Sequence, residues 1–379
     1  MYRDIGDGVL DRGPGCASRT LPQRPVLLRR MPVERRRCGR SELELPILGI
    51  GSWAFGGGDY WGPQSQQTVN EIVRHAIEHG CNFFDTAESY NRGASESSLG
   101  TALRGIPREQ VIIASKISPH HLQPARAAIH CEASLRRLGT EYIDLYMVHW
   151  PLTAQSLRHF TDEAVTVPEL ADAFGDLDRL RREGKIRHIG VSNFGRTQLA
   201  EALATGVPIV ANELPYNLLS RAAELEILPF CRDRGVGVLG YMALLQGVLS
   251  DRYPMLADVP EWRRRTRHFD SRSTPLSRHG TAGCEAATQA AVDAIRRIAR
   301  QLGFTTSELA LKWACAGNGI TSSLCGARDL ASLRDNIRAA STPLPSDIRA
   351  ELNRVTQALL DALGPSFDYY ENPLNDRTR

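Results

Sequence analysis

Four side chains of complementary chemistry, Asp85, Tyr90, Lys116 and His149, each stand at or just after the end of a short apolar run. Together they could donate a proton through a phenol. Tyrosine alone is a poor acid at neutral pH, because its ordinary pKa is about 10. An ammonium beside it favours phenolate and lowers that value, which is the part Lys116 could play. Asp85 would hold the lysine charged and pointed, and His149 could hydrogen-bond the oxygen that receives the proton. Lys116 also stands out by rarity, since the chain has only three lysines, at 116, 185 and 312. A Schiff-base aldolase is a rival use of that lysine, but Asp85 and Tyr90 would then lack a paired purpose. Singly, each residue has a duller explanation: a turn cap for Asp85, a loop aromatic for Tyr90, a surface ammonium for Lys116, a hydrogen-bonded core imidazole for His149. The convergence of all four carries the argument.

What must position them is a repeated strand and helix pattern. Short β-branched or apolar runs at 46–50, 81–84, 111–115, 143–148, 187–191, 208–212, 236–240 and 320–325 read as strands. Amphipathic stretches at 66–79, 95–104, 124–138, 167–183, 196–205, 222–234, 305–315 and 329–340 read as helices. Gly80, Gly184, Gly206 and Gly235 fall where a helix hands over to the next strand. Eight βα units over this length predict an α/β fold, a closed (β/α)8 TIM barrel rather than an open sheet. The stretch 34–46 is expected to form a hairpin across the barrel bottom. A long loop rich in Pro, Arg and Ser, about 250–284, separates the seventh and eighth strands and reads as a functional loop or partly disordered lid. Residues 346–362 read as a further helix, followed by a polar tail that could lie over the mouth. The expected division is a disordered extension over 1–30, a barrel over 31–345, and a C-terminal helix and tail over 346–379. An upstream start before a true beginning near Met31 is the other reading of the first segment.

Barrels of this kind build their sites at the C-terminal strand ends. In chain order these ends supply Asp85, Lys116, His149, Ser192 with Asn193, Asn212 with Glu213, and Tyr241, and the eighth strand runs into Gly326, Ala327 and Arg328. Several long motifs accompany them: LGIGSWAFGGGDYWGPQ at 48–64, GCNFFDTAESY at 80–90, VIIASK at 111–116, YIDLYMVHWP at 142–151, EGKIRHIGVSNF at 183–194, LGYMALLQGVLS at 239–250 and GARDLASLRDNIRAA at 326–340. By these motifs the sequence resembles the aldo-keto reductase superfamily over about residues 35–341. The resemblance implies an NADP(H)-dependent oxidoreductase that reduces aldehydes or ketones, with Tyr90 as general acid, Lys116 and Asp85 as its tuning pair and His149 orienting the substrate. It also implies an extended NADPH or NADP+, with NADH less favoured, and no metal. Ser192, Asn193 and Glu213 would hold the carboxamide and Tyr241 would stack on the nicotinamide. Gly326, Arg328, Ser332 and Asn336 would serve the 2′-phosphate ribose and adenine at a helix N-terminus.

Three departures from the family pattern matter. Glu213 stands where many relatives carry Gln, and an ionised Glu accepts from the amide but cannot donate to it. Ser332 replaces a longer side chain, which puts the preference for NADP over NAD on Arg328. Asn91 follows the tyrosine where Gly is common, and Asn still tolerates a left-handed turn.

Other features exclude or compete. The 46 basic and 43 acidic side chains are interspersed, for a net charge of +3, so no broad field favours nucleic acid or membrane. The arginines at 29–40 and Arg263, Arg264, Arg265 and Arg267 read as solvated faces or loops. Eight scattered cysteines lack metal spacing and suit a reducing, cytoplasmic setting. Gly49, Gly51 and Ala54 spell a dinucleotide fingerprint, but loop residues rather than a helix follow. Trp53, Phe55, Tyr60 and Trp61 are expected to wall a substrate pocket for an apolar or sugar-like carbonyl, with loop packing as the alternative. Tyr241 could equally be a core tyrosine, and Ser192 and Asn193 could cap the next helix. His120 and His121 receive no role. The partner is a small-molecule carbonyl substrate; a cofactor-sensing regulatory subunit with little turnover is the competing function.

Overall fold

A computed structural model of the chain describes residues 33–317 and 319–378. The extension over 1–30, the start near Met31 and Cys16 lie outside the described residues.

Strands β1 (Arg35–Arg37) and β2 (Glu44–Pro46) pair antiparallel, with Arg36 opposite Leu45. Strands β3 (Leu48–Gly51), β4 (Phe83–Asp85), β5 (Ile112–Ile117), β6 (Ile143–Val148), β7 (Ile186–Ser192), β8 (Ile209–Pro215), β9 (Gly237–Tyr241) and β10 (Ser322–Cys325) form a closed parallel barrel in chain order, β10 returning to β3. Helices α1 (Gln66–Glu78), α2 (Ala94–Ala102), α3 (Arg126–Leu138), α4 (Ala154–Phe160), α5 (Leu170–Arg182), α6 (Arg196–Ala204) and α7 (Ile227–Arg234) connect the earlier strands. The chain continues through α8 (Glu285–Leu302), α9 (Thr306–Cys315), α10 (Leu330–Ala340), α11 (Ser346–Val355) and α12 (Gln357–Leu363). The predicted (β/α)8 barrel, its eight strands and its hairpin are therefore present.

Parallel strands covered on both faces read as continuous apolar runs, and β6 shows why. Its Leu145 and Met147 pack in a cluster with Phe83, Ala114, Ala211, Leu239 and Leu324, while Ile143, Tyr146 and Val148 pack in the larger cluster against the helices. Cys38, Leu43 and Leu45 of the hairpin region join the first cluster, so the hairpin closes the barrel floor. The four hand-over glycines have φ between +71° and +81°, as the sequence pattern requires. Gly49 answers a different need: a Cβ there would lie 2.7 Å from Leu324 and Phe83, and no helix begins before Gln66. The rejected fingerprint is a packing glycine.

Three helical readings are corrected. The short α4 and the 18-residue α8 lie outside the expected helices, although Val292, Ile295, Ile298 and Ala299 form a buried stripe on α8. The helix expected over 346–362 is two helices that meet at Thr356. The 250–284 segment carries single 3-10 turns at Leu256–Asp258, Glu261–Arg263 and Ser271–Ser273. No helix among the described residues is long and apolar enough to cross a membrane.

Candidate active site

The barrel register explains how the charged groups meet. Asp85 is level with Ala114 of β5, and Lys116 is level with Met147 of β6. Ala114 and Met147 belong to the interior cluster, so Asp85 and Lys116 share the inward face at its upper rim. On β8, Glu213 is level with Leu239, another interior residue. Closure of the sheet then brings three ionisable groups into one dry layer.

Lys116 is fully buried, and its Nζ donates to both Asp85 oxygens at 2.6 Å, to the Thr86 carbonyl at 3.1 Å and to Tyr90 Oη at 3.4 Å. Glu213 Oε2 lies 3.3 Å from the same nitrogen but lacks a properly aimed hydrogen bond. Burial opposes the lysine's charge, yet Asp85 and Glu213 hold its pKa well above the ordinary value. Burial likewise raises both carboxyls against the pull of Lys116, and with Asp85 beside it Glu213 is pushed up to about 8. Asp85, clasped by the ammonium, is the ionised partner, and Glu213 holds a proton at neutral pH. This corrects the expectation of an ionised Glu213: a neutral carboxyl both donates and accepts.

The expectation for Tyr90 is also corrected. Desolvation raises its phenol, Lys116 pulls it down, and Asp85 and Glu213 push it up, leaving it well above its ordinary value. The ammonium contributes in the anticipated direction but is outweighed. Tyr90 therefore remains a proton-bearing phenol. Asn91 and Arg92 follow it at φ 49° and 55°, and Asn91 Nδ2 donates to the Trp53 and Phe55 carbonyls at 2.8 and 3.0 Å. The left-handed turn thus ties the tyrosine loop to the 52–64 loop. His149 follows β6, meets the Tyr90 ring edge-on at 5.6 Å, and has Nδ1 3.3 Å from Ser89 Oγ. Burial and the Lys116 charge hold its pKa well below the usual value, so it is neutral.

These residues open on a cleft of about 1250 Å³, a volume sufficient for a dinucleotide and a small substrate. Ser192, Asn193, Glu213, Tyr241, Gly326, Arg328, Ser332, Asn336, Trp53, Tyr60 and Trp61 all line it, whereas Phe55 is fully buried in the core under its loop and does not. Asn193, at φ 64°, donates to the His149 carbonyl at 3.2 Å and to Ser192 Oγ at 2.9 Å, and accepts from Tyr241 Oη at 2.8 Å. Arg328 donates to the Pro63 carbonyl at 2.9 Å. The Ser332 amide is capped by Asp329, and Asn336 holds the Gly326 carbonyl at 3.4 Å. Trp53 stacks on Tyr60 at 4.9 Å and on Tyr90 at 5.7 Å, with Trp61 edge-on to it. Glu213 Oε2, which faces the cleft, is buried without a hydrogen-bond partner among the described residues, the kind of group a bound amide would satisfy.

Sequence reasoning missed several lining residues. Phe160, Gln246, Arg263, Arg265, Tyr370 and Arg377 come from connecting segments and the tail, whose course has no periodic signature. The arginine run was read as solvated, but Arg267 is buried on the Leu363 and Ser366 carbonyls, and Arg263 and Arg265 face the cleft. Glu88 was also missed. It accepts from His121 at 2.7 Å, from His130 at 2.9 Å and from the Ser118 amide at 2.7 Å. Burial works against its charge, yet those bonds hold its carboxyl well below the usual range.

A closed parallel barrel carrying a lysine, two carboxyl groups, a phenol and an imidazole at its C-terminal mouth defines a (β/α)8 enzyme scaffold of the oxidoreductase type. The chain belongs to the aldo/keto reductase family, which it matches over residues 47–357. It is 32% identical over 339 residues to the NADH-specific methylglyoxal reductase of Escherichia coli strain K12, across 83% of this chain and 96% of that protein. A crystal structure of the thermostable aldo-keto reductase Tm1743 with the inhibitor epalrestat has TM-score 0.66 and 27% identity, covering 85% of this chain and 99% of that one. An aldo/keto reductase from Klebsiella pneumoniae in complex with NADP and acetate has TM-score 0.61 and 27% identity, covering 83% and 92%.

Raised carboxyl pKa values carry a sign. The folded protein binds the Glu213 proton more tightly than the unfolded chain, so this site's contribution to stability falls as pH rises from about 4.5 to about 8. Glu213→Gln removes that loss. Its melting temperature relative to the parent should climb by a few degrees between pH 5 and pH 9, and a pH-independent difference would refute the assignment.

Proposed function

We propose that the protein reduces aldehyde or ketone carbonyls to alcohols with NADPH, Tyr90 acting as general acid. The observation that carries this is Lys116 Nζ, 3.4 Å from the Tyr90 hydroxyl while clasped by both Asp85 oxygens. When bound, a reduced nicotinamide supplies hydride to the carbonyl carbon. Tyr90 gives its proton to the carbonyl oxygen, and Lys116 stabilises the phenolate left behind. Neutral His149, whose Nδ1 lies 3.3 Å from Ser89 Oγ, orients the same oxygen by donating Nε2–H in the tautomer that accepts from that hydroxyl. Ser192, Asn193 and the neutral Glu213 bind the carboxamide, and Tyr241 supports the ring. An aldolase is opposed by Lys116 itself, which is held charged where a Schiff base needs a neutral amine.

Arg328 and the start of α10 are the groups proposed to favour NADP over NAD. The relative named NADH-specific makes this a point to test. Arg328→Ala should weaken NADPH by about 10- to 100-fold and NADH hardly at all in fluorescence titrations. Equal loss for both would remove the phosphate contact. The activity itself is tested with a panel of aldehydes and ketones followed by NADPH absorbance. NADPH binding with no turnover on any member would favour a regulatory subunit instead.

A further inference from the structure

The cleft is lined by Arg252, Arg263, Arg265, Arg278, Arg328 and Arg377. Its carboxyl groups are Asp85, Glu213, Asp329 and Asp335. The first two flank Lys116, Asp329 caps α10, and Asp335 pairs with Arg338 at 3.0 Å. Among the arginines, Arg278 pairs with Glu371 at 2.6 Å and Arg377 with Asp368 at 2.7 Å. Among the described residues the other four have no carboxylate partner; Arg252 is exposed and Arg328 is held on the Pro63 carbonyl beside α10, whereas Arg263 donates to the Gln246 carbonyl and Tyr253 Oη and Arg265 donates through Nε to the Trp262 carbonyl. Both are half-buried, where water screens a charge less than on an open surface.

Their placement relative to the acid is continuous. The Arg265 guanidinium lies 5.0 Å from the centre of the Tyr60 ring. Tyr60 stacks on Trp53, and Trp53 stacks on Tyr90. The Tyr60 and Tyr370 hydroxyls both meet the Gln246 amide, which closes that end of the wall. A substrate whose carbonyl sits at Tyr90 and whose body lies along this aromatic wall brings its far end to these two guanidinium groups. Guanidinium forks match oxyanions bidentately, and aromatic walls suit the apolar body between.

We propose that the preferred substrates are carbonyl compounds bearing an oxyanion group, a carboxylate or phosphate ester, remote from the carbonyl, and that Arg265 and Arg263 form the subsite receiving it. This rests on the reductase reading for its carbonyl and adds the charge of the substrate.

The test uses the intact protein with saturating NADPH and three aldehydes sharing one ring: 4-formylbenzoate, 4-formylphenyl phosphate and methyl 4-formylbenzoate. We expect kcat/KM for at least one anion to exceed that of the neutral ester by about tenfold or more, chiefly through KM. Whichever anion leads identifies the source of the charge. The ratio should shrink with added salt and in Arg265→Gln and Arg263→Gln. Equal kcat/KM for all three aldehydes overturns the proposal, as does an unchanged ratio in both variants. Weakened NADPH binding with the ratio intact would also overturn it, assigning these arginines to cofactor phosphates. Tryptophan quenching by 4-(hydroxymethyl)benzoate against its methyl ester gives a readout without turnover. Anion-selective quenching with no reduction of any aldehyde would retain the subsite and sink the reductase reading. Reduction of all three without charge preference does the reverse.

Discussion

Tyr90→Phe is expected to lower turnover by about two to four orders of magnitude while leaving NADPH affinity nearly unchanged. The substitution keeps the ring that stacks on Trp53 and removes only the hydroxyl that faces Lys116. Because the phenol stays protonated well beyond neutrality, the parent's reduction rate should not fall through ionisation of Tyr90 at moderately alkaline pH. Stopped-flow oxidation of bound NADPH isolates the chemical step from cofactor binding. A variant that keeps parental turnover would transfer the acid role elsewhere, with His149 the next group to examine.

Lys116→Met should abolish measurable turnover and also cost about 3–5 kcal/mol of stability, because it leaves a buried carboxylate unpaired. Lys116 donates to both Asp85 oxygens and lies within ion-pairing distance of Glu213. Without the ammonium, both carboxyls titrate higher, so the variant's deficit should be small at acidic pH and grow as pH rises. Urea unfolding at two pH values reads this directly. Adding Asp85→Asn should recover much of the stability and none of the activity. A single variant that unfolds like the parent at alkaline pH would show that the lysine does not compensate the carboxylates.

The two substitutions probe opposite sides of one arrangement. A buried ion cluster is a poor way to stabilise a barrel, since apolar residues would fill the same layer at lower desolvation cost. Its retention at the strand ends, where sites of this fold form, is consistent with a functional use. The cluster is also tuned by its position: the same dry environment that keeps Tyr90 protonated keeps His149 neutral, so both can donate a hydrogen bond to an oxygen.

The sequence by itself determined the eight strands, their order and the residues that end them. Those properties are local: apolar runs long enough for a strand, helix caps such as Ser65 and Thr305, and glycines at hand-over turns. Asp85, Tyr90, Lys116 and His149 were legible for the same reason, because each adjoins a strand end. The helix α8 is equally periodic, with Val292, Ile295, Ile298 and Ala299 on one buried face, but it is an addition to the alternation of strand and helix. Tertiary structure alone decided the charge states. Glu213 meets Lys116 only when the barrel closes β8 across from β5, and no spacing in the chain encodes the burial that lifts its carboxyl to about 8. It also decided that Arg263 and Arg265, part of one of two basic runs in sequence, turn into the cleft beside Trp61 and Tyr60 respectively. Periodicity reports which face of an element is buried, whereas electrostatics depends on what the rest of the fold places within a few ångströms.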